Sequence, residues 1–561
     1  MSLYQDFAER TAKLIADGVL RPGEKLLSVR QACKIHGISP ITVTQAYHLL
    51  ESRGLIEARP KSGYFVRARL GSKLPEPEIT HPVGGSTVLE VSDFIFQILD
   101  SVRDLAIVPL GSSFPDARLY PLDKLGRFLA AAARHLDPRA TVTDLPPGND
   151  ELRRQLALRY LAHGASVSPQ EIVVTAGAME GLNLCLQALT RPGDLIAIES
   201  PTFYAGLQAS ERLGLKVIEI PSHPRAGVSL DALADALRHH PIKACLFMLN
   251  FANPTGSCVS DENKRALVAL LHRHQVPLIE DDVYAELYFK RDAPLCSKAI
   301  DTDGLVLHVS SFSKCLAPGY RVGWVAAGRF AKQVQRQKYS SSLATAVPLQ
   351  IALADYLKHG GFDNHLRQLR RQLAAQEAQL LAGIEEHFPA GIRLARPDGG
   401  YFLWLELPAR VDTLRLHEEA LEHGISIAPG PIFSAKREFP NYLRLNFGHP
   451  ATPRQDQALA TLGQLIERQL QARKAGEVGT EDGRQHDRDR REGDEEAQHV
   501  AQEGMSQFRL DEVAGDQVAL DPDDPGYDQL HGFLPPETVA ELRADEGQCD
   551  QGQPGQDQGP E

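Results

Sequence analysis

No apolar run in this 561-residue chain reaches the roughly 18 residues that a bilayer crossing needs, so no membrane partner is expected. The opening residues, Met1-Ser2-Leu3-Tyr4-Gln5-Asp6, carry no basic region followed by an apolar core, so no signal peptide is expected. Cysteine is sparse. The seven residues (Cys33, Cys185, Cys245, Cys258, Cys296, Cys315 and Cys549) are scattered without a CxxC pair. That spacing excludes a structural zinc site and a disulfide framework, and it fits a reducing, cytoplasmic compartment. Glycine and proline are not extreme, so neither collagen-like nor wholly disordered chains come into question.

What the chain has is unevenly distributed. The net charge of −13 comes mainly from residues 474–561, which hold 24 acidic and 7 basic residues. Residues 1–69 hold 11 basic and 6 acidic residues, a mild excess that suits a phosphate-contacting module and is also common on a solvated surface. Four parts follow: a compact head, 1–69; a linker, 70–88, stiffened by Pro75, Pro77 and Pro82; a body, 89–473; and an acidic tail, 474–561, expected to be disordered, with one short helix from Phe533 to near Arg543. The body alternates apolar runs such as Glu171–Thr175, Leu195–Ile198, Ala244–Met248 and Val276–Ile279 with helical stretches, the pattern of an α/β domain with a largely parallel sheet.

In the head, Phe7, Ala8, Thr11, Leu14 and Ile15 share one helical face, and Pro22-Gly23 turns the chain. Ser28 caps a second helix, Val29 to His36, and Ser39-Pro40 opens a third, Ile41 to Arg53. Two short helices around a glycine turn make a helix-turn-helix. The hairpin formed by Leu55–Ala58 and Tyr64–Val66, with Arg59-Pro60-Lys61-Ser62-Gly63 between them, reads as a wing with a basic tip. A helical oligomerisation module is the alternative, but it gives that tip no purpose.

Residues 1–69 resemble the winged helix-turn-helix of GntR-type regulators, through Gly18–Leu26, Ser28-Val29-Arg30, Thr42-Val43, Ala46-Tyr47, Gly54-Leu55-Ile56 and Ser62–Val66. Leu27 and Ile41 depart from the pattern, which usually has proline at the first position and often arginine at the second. The resemblance implies that the third helix enters the major groove, with Ser39, Thr42 and Gln45 near bases or phosphates. It implies that Arg30 touches the DNA backbone or a base, that Gly63 lets the wing approach closely, and that Arg59 and Lys61 meet phosphates. The expected partner is a DNA operator.

Five separated features of the body suit pyridoxal phosphate (PLP). Lys314, in Ser310-Ser311-Phe312-Ser313-Lys314, can form a Schiff base with the cofactor aldehyde, and the neighbouring hydroxyls and Arg321 can hold the phosphate. Thr175 to Gly181 follows a strand and opens a helix, where backbone N–H groups attract anions. Asn253, in Asn253-Pro254-Thr255-Gly256, can aim an amide at the cofactor hydroxyl or a substrate carboxylate. Glu280-Asp281-Asp282 ends a strand, where a carboxylate can pair with a pyridine nitrogen, and Tyr284 offers a phenol three residues on. Arg444, between leucines, can fork onto a carboxylate.

In order and spacing these features resemble fold-type I aminotransferases over roughly residues 107–470. Phe114-Pro115-Asp116, Glu199–Tyr204, Pro397–Phe402 and Ala428-Pro429-Gly430 extend the resemblance. It implies a large, mainly parallel sheet domain with a smaller C-terminal α+β domain. It also implies roles: Lys314 as the Schiff-base lysine, Asp281 on the pyridine nitrogen, Tyr284 and Asn253 on the ring hydroxyl, and Phe203 or Tyr204 stacked on the ring. Gly177, Ala178, Met179, Ser311, Ser313 and Arg321 would surround the phosphate, and Arg444 would take the α-carboxylate. Ala178 and Met179 stand where the family often has serine and glutamine, so two side-chain phosphate contacts are missing.

Head, linker and body together resemble the MocR subfamily of GntR regulators over residues 1–473. That implies a homodimer in which PLP, or PLP with an amino compound, repositions the heads on DNA. The alternative is a working aminotransferase acting on an amino acid and a 2-oxo acid, with the head secondary. Lys314, Asp281 and Arg444 are compatible with both.

Overall fold

The computed structural model describes residues 3–472, apart from 17–18, 21–23, 53–54, 60–61, 67–73, 83–84 and 101–105. The acidic tail with its expected short helix, and Lys61, lie outside the described residues.

The head contains α1 (Leu3–Ala16), α2 (Val29–His36), α3 (Pro40–Ser52) and an antiparallel hairpin of β1 (Ile56–Arg59) and β2 (Gly63–Val66). The start of α2 is set locally. Ser28 caps it, and Gln31 bonds back to the Ser28 backbone in a capping box. Gly37, at φ 66°, ends it in the left-handed conformation that a side chain disfavours. Val43, Ala46 and Leu50 recur at helical spacing on α3 and are fully buried with Phe7, Ala8, Ile15 and Ala32. Burial of each of the larger chains contributes roughly 1.5–3 kcal/mol. The Tyr47 hydroxyl donates to the Leu27 carbonyl at 2.8 Å, tying α3 to the turn before α2. The wing is held from both sides, because Leu26 donates to the Tyr64 carbonyl and Val66 to that of Glu24.

The body is built on a nine-stranded sheet. Its strands are β3 (Thr87–Val88), β4 (Ile172–Thr175), β5 (Leu195–Ser200), β6 (Lys216–His223), β7 (Gly227–Val228), β8 (Ile242–Phe247), β9 (Leu278–Asp281), β10 (Val306–Ser311) and β11 (Gly323–Ala326). They run in the order β3-β6-β5-β8-β9-β10-β11-β4, with β7 pairing β6. The central strands β6, β5, β8, β9 and β10 are parallel, and β11 runs antiparallel between β10 and β4. Strands β4, β5, β9 and β10 are buried along their whole length, as expected for a parallel sheet covered by helices on both faces. The four apolar runs singled out in the sequence fall on β4, β5, β8 and β9. A second, antiparallel sheet holds β12 (Arg393–Leu394), β13 (Phe402–Glu406), β15 (Tyr442–Asn446) and β14 (Ala428–Pro429), in that order.

The described part of segment 70–88 is bonded to the body. Thr80 donates to the Ser200 carbonyl at 2.6 Å, Glu76 pairs with Arg225, and β3 adds to the edge of β6. No helix among the described residues is long and apolar enough to cross a membrane, and no His/Cys/Asp/Glu group among them is arranged to hold a metal ion.

Candidate functional site

The C-terminal ends of β4, β9 and β10 lie on one edge of the large sheet, the edge where ligands bind in open α/β folds. Each end carries one of the sequence-predicted groups. Asp281 is the last residue of β9, paired in register with Val309 of β10. Lys314 stands in the turn that follows Ser311, the end of β10. Gly177 follows Thr175, the end of β4, and the helix Ala178–Leu189 starts on it.

Lys314 Nζ donates to the Ser113 carbonyl at 2.8 Å and lies 3.9 Å from the centroid of the Phe114 ring. Burial, with the charge of Arg444 adding to it, brings the amine down to about 7, so the neutral nucleophile is abundant near neutral pH. Asp281 is driven the other way. Burial and the neighbouring Asp282 raise its carboxyl to about 7, against the pull of Lys314. Its Oδ1 is buried without a hydrogen-bond partner. A buried acceptor left bare costs roughly 1–3 kcal/mol, so this atom is built for a donor that the chain does not supply.

Seven further buried side-chain atoms among the described residues share that condition, and two of them, Asn253 Nδ2 and Arg444 Nε, belong to the sequence-predicted site. Arg444, 1 % exposed, reaches across from β15. Its Nη1 donates to Asn253 Oδ1 at 2.8 Å and its Nη2 to the Gly111 carbonyl at 2.6 Å, and the guanidinium lies over the rings of Phe402 and Phe433. Tyr284 is buried against Tyr401 in an edge-on pair at 5.3 Å, with Phe402 beside it. The Tyr204 hydroxyl bonds Ser113 Oγ at 2.8 Å, and Phe203, half-buried, lies edge-near Tyr204 at 4.8 Å.

At the β4 edge, Arg321 Nη1 donates to Ser313 Oγ at 3.0 Å, and its Nη2 approaches the Ala176 carbonyl at 3.5 Å. Gly177 has φ 85°, and a Cβ placed on it would come 2.4 Å from Arg321 Nη2. The arginine fills the space that the glycine leaves. The backbone of Ala178 heads the helix behind them, and no side chain caps that helix. Ser311 Oγ accepts from the Ser313 N–H at 3.3 Å, which uses it inside the turn. Met179 borders a surface groove beside Asn183, Gln208 and Arg212.

Sequence reasoning passed over Ser113 and Tyr401. Ser113 gathers Lys314, Tyr204 and Tyr401 onto one residue, since the Tyr401 hydroxyl also donates to its carbonyl at 3.0 Å. Both sit inside or beside motifs that were noticed, Phe114-Pro115-Asp116 and Gly400-Tyr401-Phe402. Their role comes from a meeting of segments 288 residues apart in the chain. Glu180 was also missed. It accepts from the Ala176 N–H at 2.6 Å and from Lys338 at 2.8 Å, fixing the turn that carries Gly177.

In the head, Ser39 Oγ accepts from the Thr42 N–H at 3.1 Å and shares a hydrogen bond of 2.8 Å with Thr42 Oγ1. The Ser39 hydroxyl therefore caps α3, and the Thr42 hydroxyl is bonded to it. Arg30 and Gln45 are exposed, and Gly63, at φ 103°, leaves only the Lys25 side chain near its Cα. Arg59 ends β1; its side chain is outside the described residues.

A sheet edge with an amine, a carboxylate and an arginine around bare buried atoms, joined to a winged helix-turn-helix, defines a class: a DNA-reading head on an aminotransferase fold. The chain belongs to the aminotransferase class I and II family, whose model matches residues 119–460. The model of bacterial regulatory proteins of the gntR family matches residues 3–66. The protein is thus a DNA-binding transcriptional regulator with an aminotransferase-like body, the MocR type of arrangement. Over 470 residues it is 46% identical to the uncharacterized HTH-type transcriptional regulator YdcR of Escherichia coli (strain K12), covering 84% of this chain and 100% of that one. Among solved structures it is similar to the Pyrococcus horikoshii kynurenine aminotransferase in complex with PMP, with a TM-score of 0.63 and 27% identity over 68% of this chain and 96% of that one. It is also similar to the α-aminoadipate aminotransferase LysN of Thermus thermophilus, complexed with N-(5'-phosphopyridoxyl)-L-leucine, with a TM-score of 0.60 and 25% identity over 68% of this chain and 100% of that one. The shared fold implies dependence on PLP.

Proposed function

We propose that the body holds PLP on Lys314 and senses an amino compound there, and that occupancy alters how the head binds its operator. The observation that carries this reading is the bare Oδ1 of buried Asp281, whose charge acts on a buried lysine brought down to about 7. An acceptor without a donor suits a pyridinium N–H, and a neutral amine suits an aldehyde. When bound, the group supplies an aldehyde for covalent capture of amines and a ring that withdraws electrons. The chain supplies the rest. Arg321, Ser313 and the N–H groups at the head of helix Ala178–Leu189 would hold the phosphate. Asn253 Nδ2 and the Tyr284 phenol would hold the ring hydroxyl, and Arg444, whose Nε has no partner, would take the carboxylate of the amino compound.

A ligand of this kind acts on DNA binding only by favouring one arrangement of the protein over another. Arg444 lies on β15 of the small sheet and Asn253 in the turn that follows β8 of the large one, so a carboxylate between them competes with a bond that joins the two segments. Pairing of two chains would present two heads to paired half-sites. In support, Val142, Tyr339 and Leu343 are exposed apolar residues on segments joined by the Gln335 to Pro146 hydrogen bond.

The test is spectroscopic. The purified protein incubated with PLP is expected to absorb in the near-visible, and borohydride followed by mass spectrometry to place the adduct on Lys314. A band that survives Lys314→Ala removes the assignment. One observation favours a second reading, turnover as an aminotransferase: an amine at about 7 is also suited to moving a proton. Ketoacid production from amino acids at ordinary enzyme rates, with no change in operator affinity, would select it.

A further inference from the structure

Ile41 is 71 % exposed in the first turn of α3, the most exposed isoleucine of the described head. An isoleucine held in water forgoes roughly 1.5–3 kcal/mol of burial, so its position has no rationale within the folded head. The neighbouring hydroxyls do not share its direction. Ser39 and Thr42 are bonded to each other and to the helix end. Side chains four and seven residues on lie along the same helical ridge, which places Gln45 and His48 in line with Ile41. Gln45 is exposed, and the His48 side chain is 63% exposed. At the far end of this ridge His48 Nδ1 lies 3.5 Å from the Glu51 carboxylate, whereas the end that carries Ile41 has no acidic neighbour along the chain. From position 25 to position 50 the chain carries Lys25, Arg30 and Lys34 and neither Asp nor Glu.

A helix start that is polar, without acidic neighbours along the chain and apolar at one point matches the DNA major groove, where the C5-methyl of thymine is the apolar group a protein can touch. We propose that Ile41 is a specificity-determining residue that buries a thymine methyl in each half-site. The inference rests on the reading of α3 as the groove helix. On this account Ser39 and Thr42 set the start of the helix, and sequence is read by the ridge from Ile41 to Gln45.

The experiment selects a pool of random-sequence duplexes on the full-length protein, then remakes one enriched duplex with deoxyuridine at each thymine in turn. Removing the methyl at one thymine per half-site is expected to weaken binding about fourfold, the worth of one buried methyl group. Ile41→Ala is expected to bind the thymine and deoxyuridine duplexes equally, while Ile41→Val, which keeps branched methyl groups, retains the discrimination. If no single deoxyuridine weakens binding, or if the Ala variant still tells the two duplexes apart, the inference is overturned while the groove helix stands. If the wild-type protein enriches no sequence, or Gln45→Ala and Ile41→Ala both leave the selected sequence unchanged, the groove reading itself fails and takes the inference with it.

Discussion

Arg444 of β15 meets Asn253 in the turn that follows β8, the guanidinium Nη1 donating to the amide oxygen at 2.8 Å, and each keeps one buried nitrogen without a partner. The pair is a latch made of the groups assigned to the amino compound. Arg444→Lys keeps the charge but loses the planar fork. The concentration of amino compound needed to change operator affinity is expected to rise roughly tenfold or more, from the loss of a charge-assisted bond of about 1.5–3 kcal/mol. The near-visible band of the protein incubated with PLP should persist, which separates a carboxylate site from a cofactor site.

Capture of PLP should follow an unusual pH course. The Lys314 ammonium is disfavoured first by burial and then by Arg444, so the folded value falls from 10.5 to about 7. The neutral amine therefore grows in through pH 7, and the capture rate should rise with a midpoint there. Arg444→Gln removes a positive neighbour and should move the midpoint up. Asp281→Asn removes a negative one and should move it down. Stopped-flow absorbance between pH 5 and 10 checks all three.

Gly177→Ala should weaken PLP without unfolding the body. The new methyl meets the mobile end of Arg321 at 2.4 Å, and the backbone is held at φ 85°. The arginine has to leave Ser313, and an alanine at φ 85°, ψ 172° sits in a region essentially confined to glycine, at a cost of roughly 1–3 kcal/mol. An equilibrium titration of cofactor is expected to show about tenfold lower affinity, with an unchanged far-ultraviolet dichroism spectrum.

Behind the cofactor edge, His308 Nε2 pairs with Asp282 at 2.9 Å while its Nδ1 meets the Tyr160 hydroxyl at 2.6 Å. Burial would lower the imidazole, but the bond to Asp282 and the charges of Asp282 and Glu280 outweigh it and raise the value above 6.5. A raised histidine gives its stability below the unfolded value and loses it as pH climbs through the folded one. His308→Leu leaves Asp282 short of its partner and should cost about 3–5 kcal/mol in urea unfolding at pH 6. The gap from wild type should narrow at pH 9.

Much of this was legible before any coordinates. The caps at Ser28 and Ser39, the wing, the apolar runs and the order of the pocket motifs are local signals, each carried by a few adjacent residues. Ser39 and Thr42 show where local reading stops. Their type and position suit contact with bases or phosphates, and only the folded chain shows the Ser39 hydroxyl accepting from the Thr42 N–H and bonded to the Thr42 hydroxyl. The stretch from 70 to 88 shows the same limit. Prolines suggest a spacer, and only the packed chain shows Thr80 bonded to β5 and β6.

Ser113 is the clearest case of what tertiary structure alone decided. It stands just outside the Phe114-Pro115-Asp116 motif, yet its carbonyl receives Lys314 and Tyr401 and its hydroxyl meets Tyr204. The amino-acid sequence by itself determined the elements, their order, and which side chains carry chemistry, because periodicity, caps and strand-end motifs act over a few residues. Folding decided which of those groups share a site and how each is charged. Burial at Lys314 and Asp281 depends on segments far away in the chain, and desolvation acts through space rather than along the backbone.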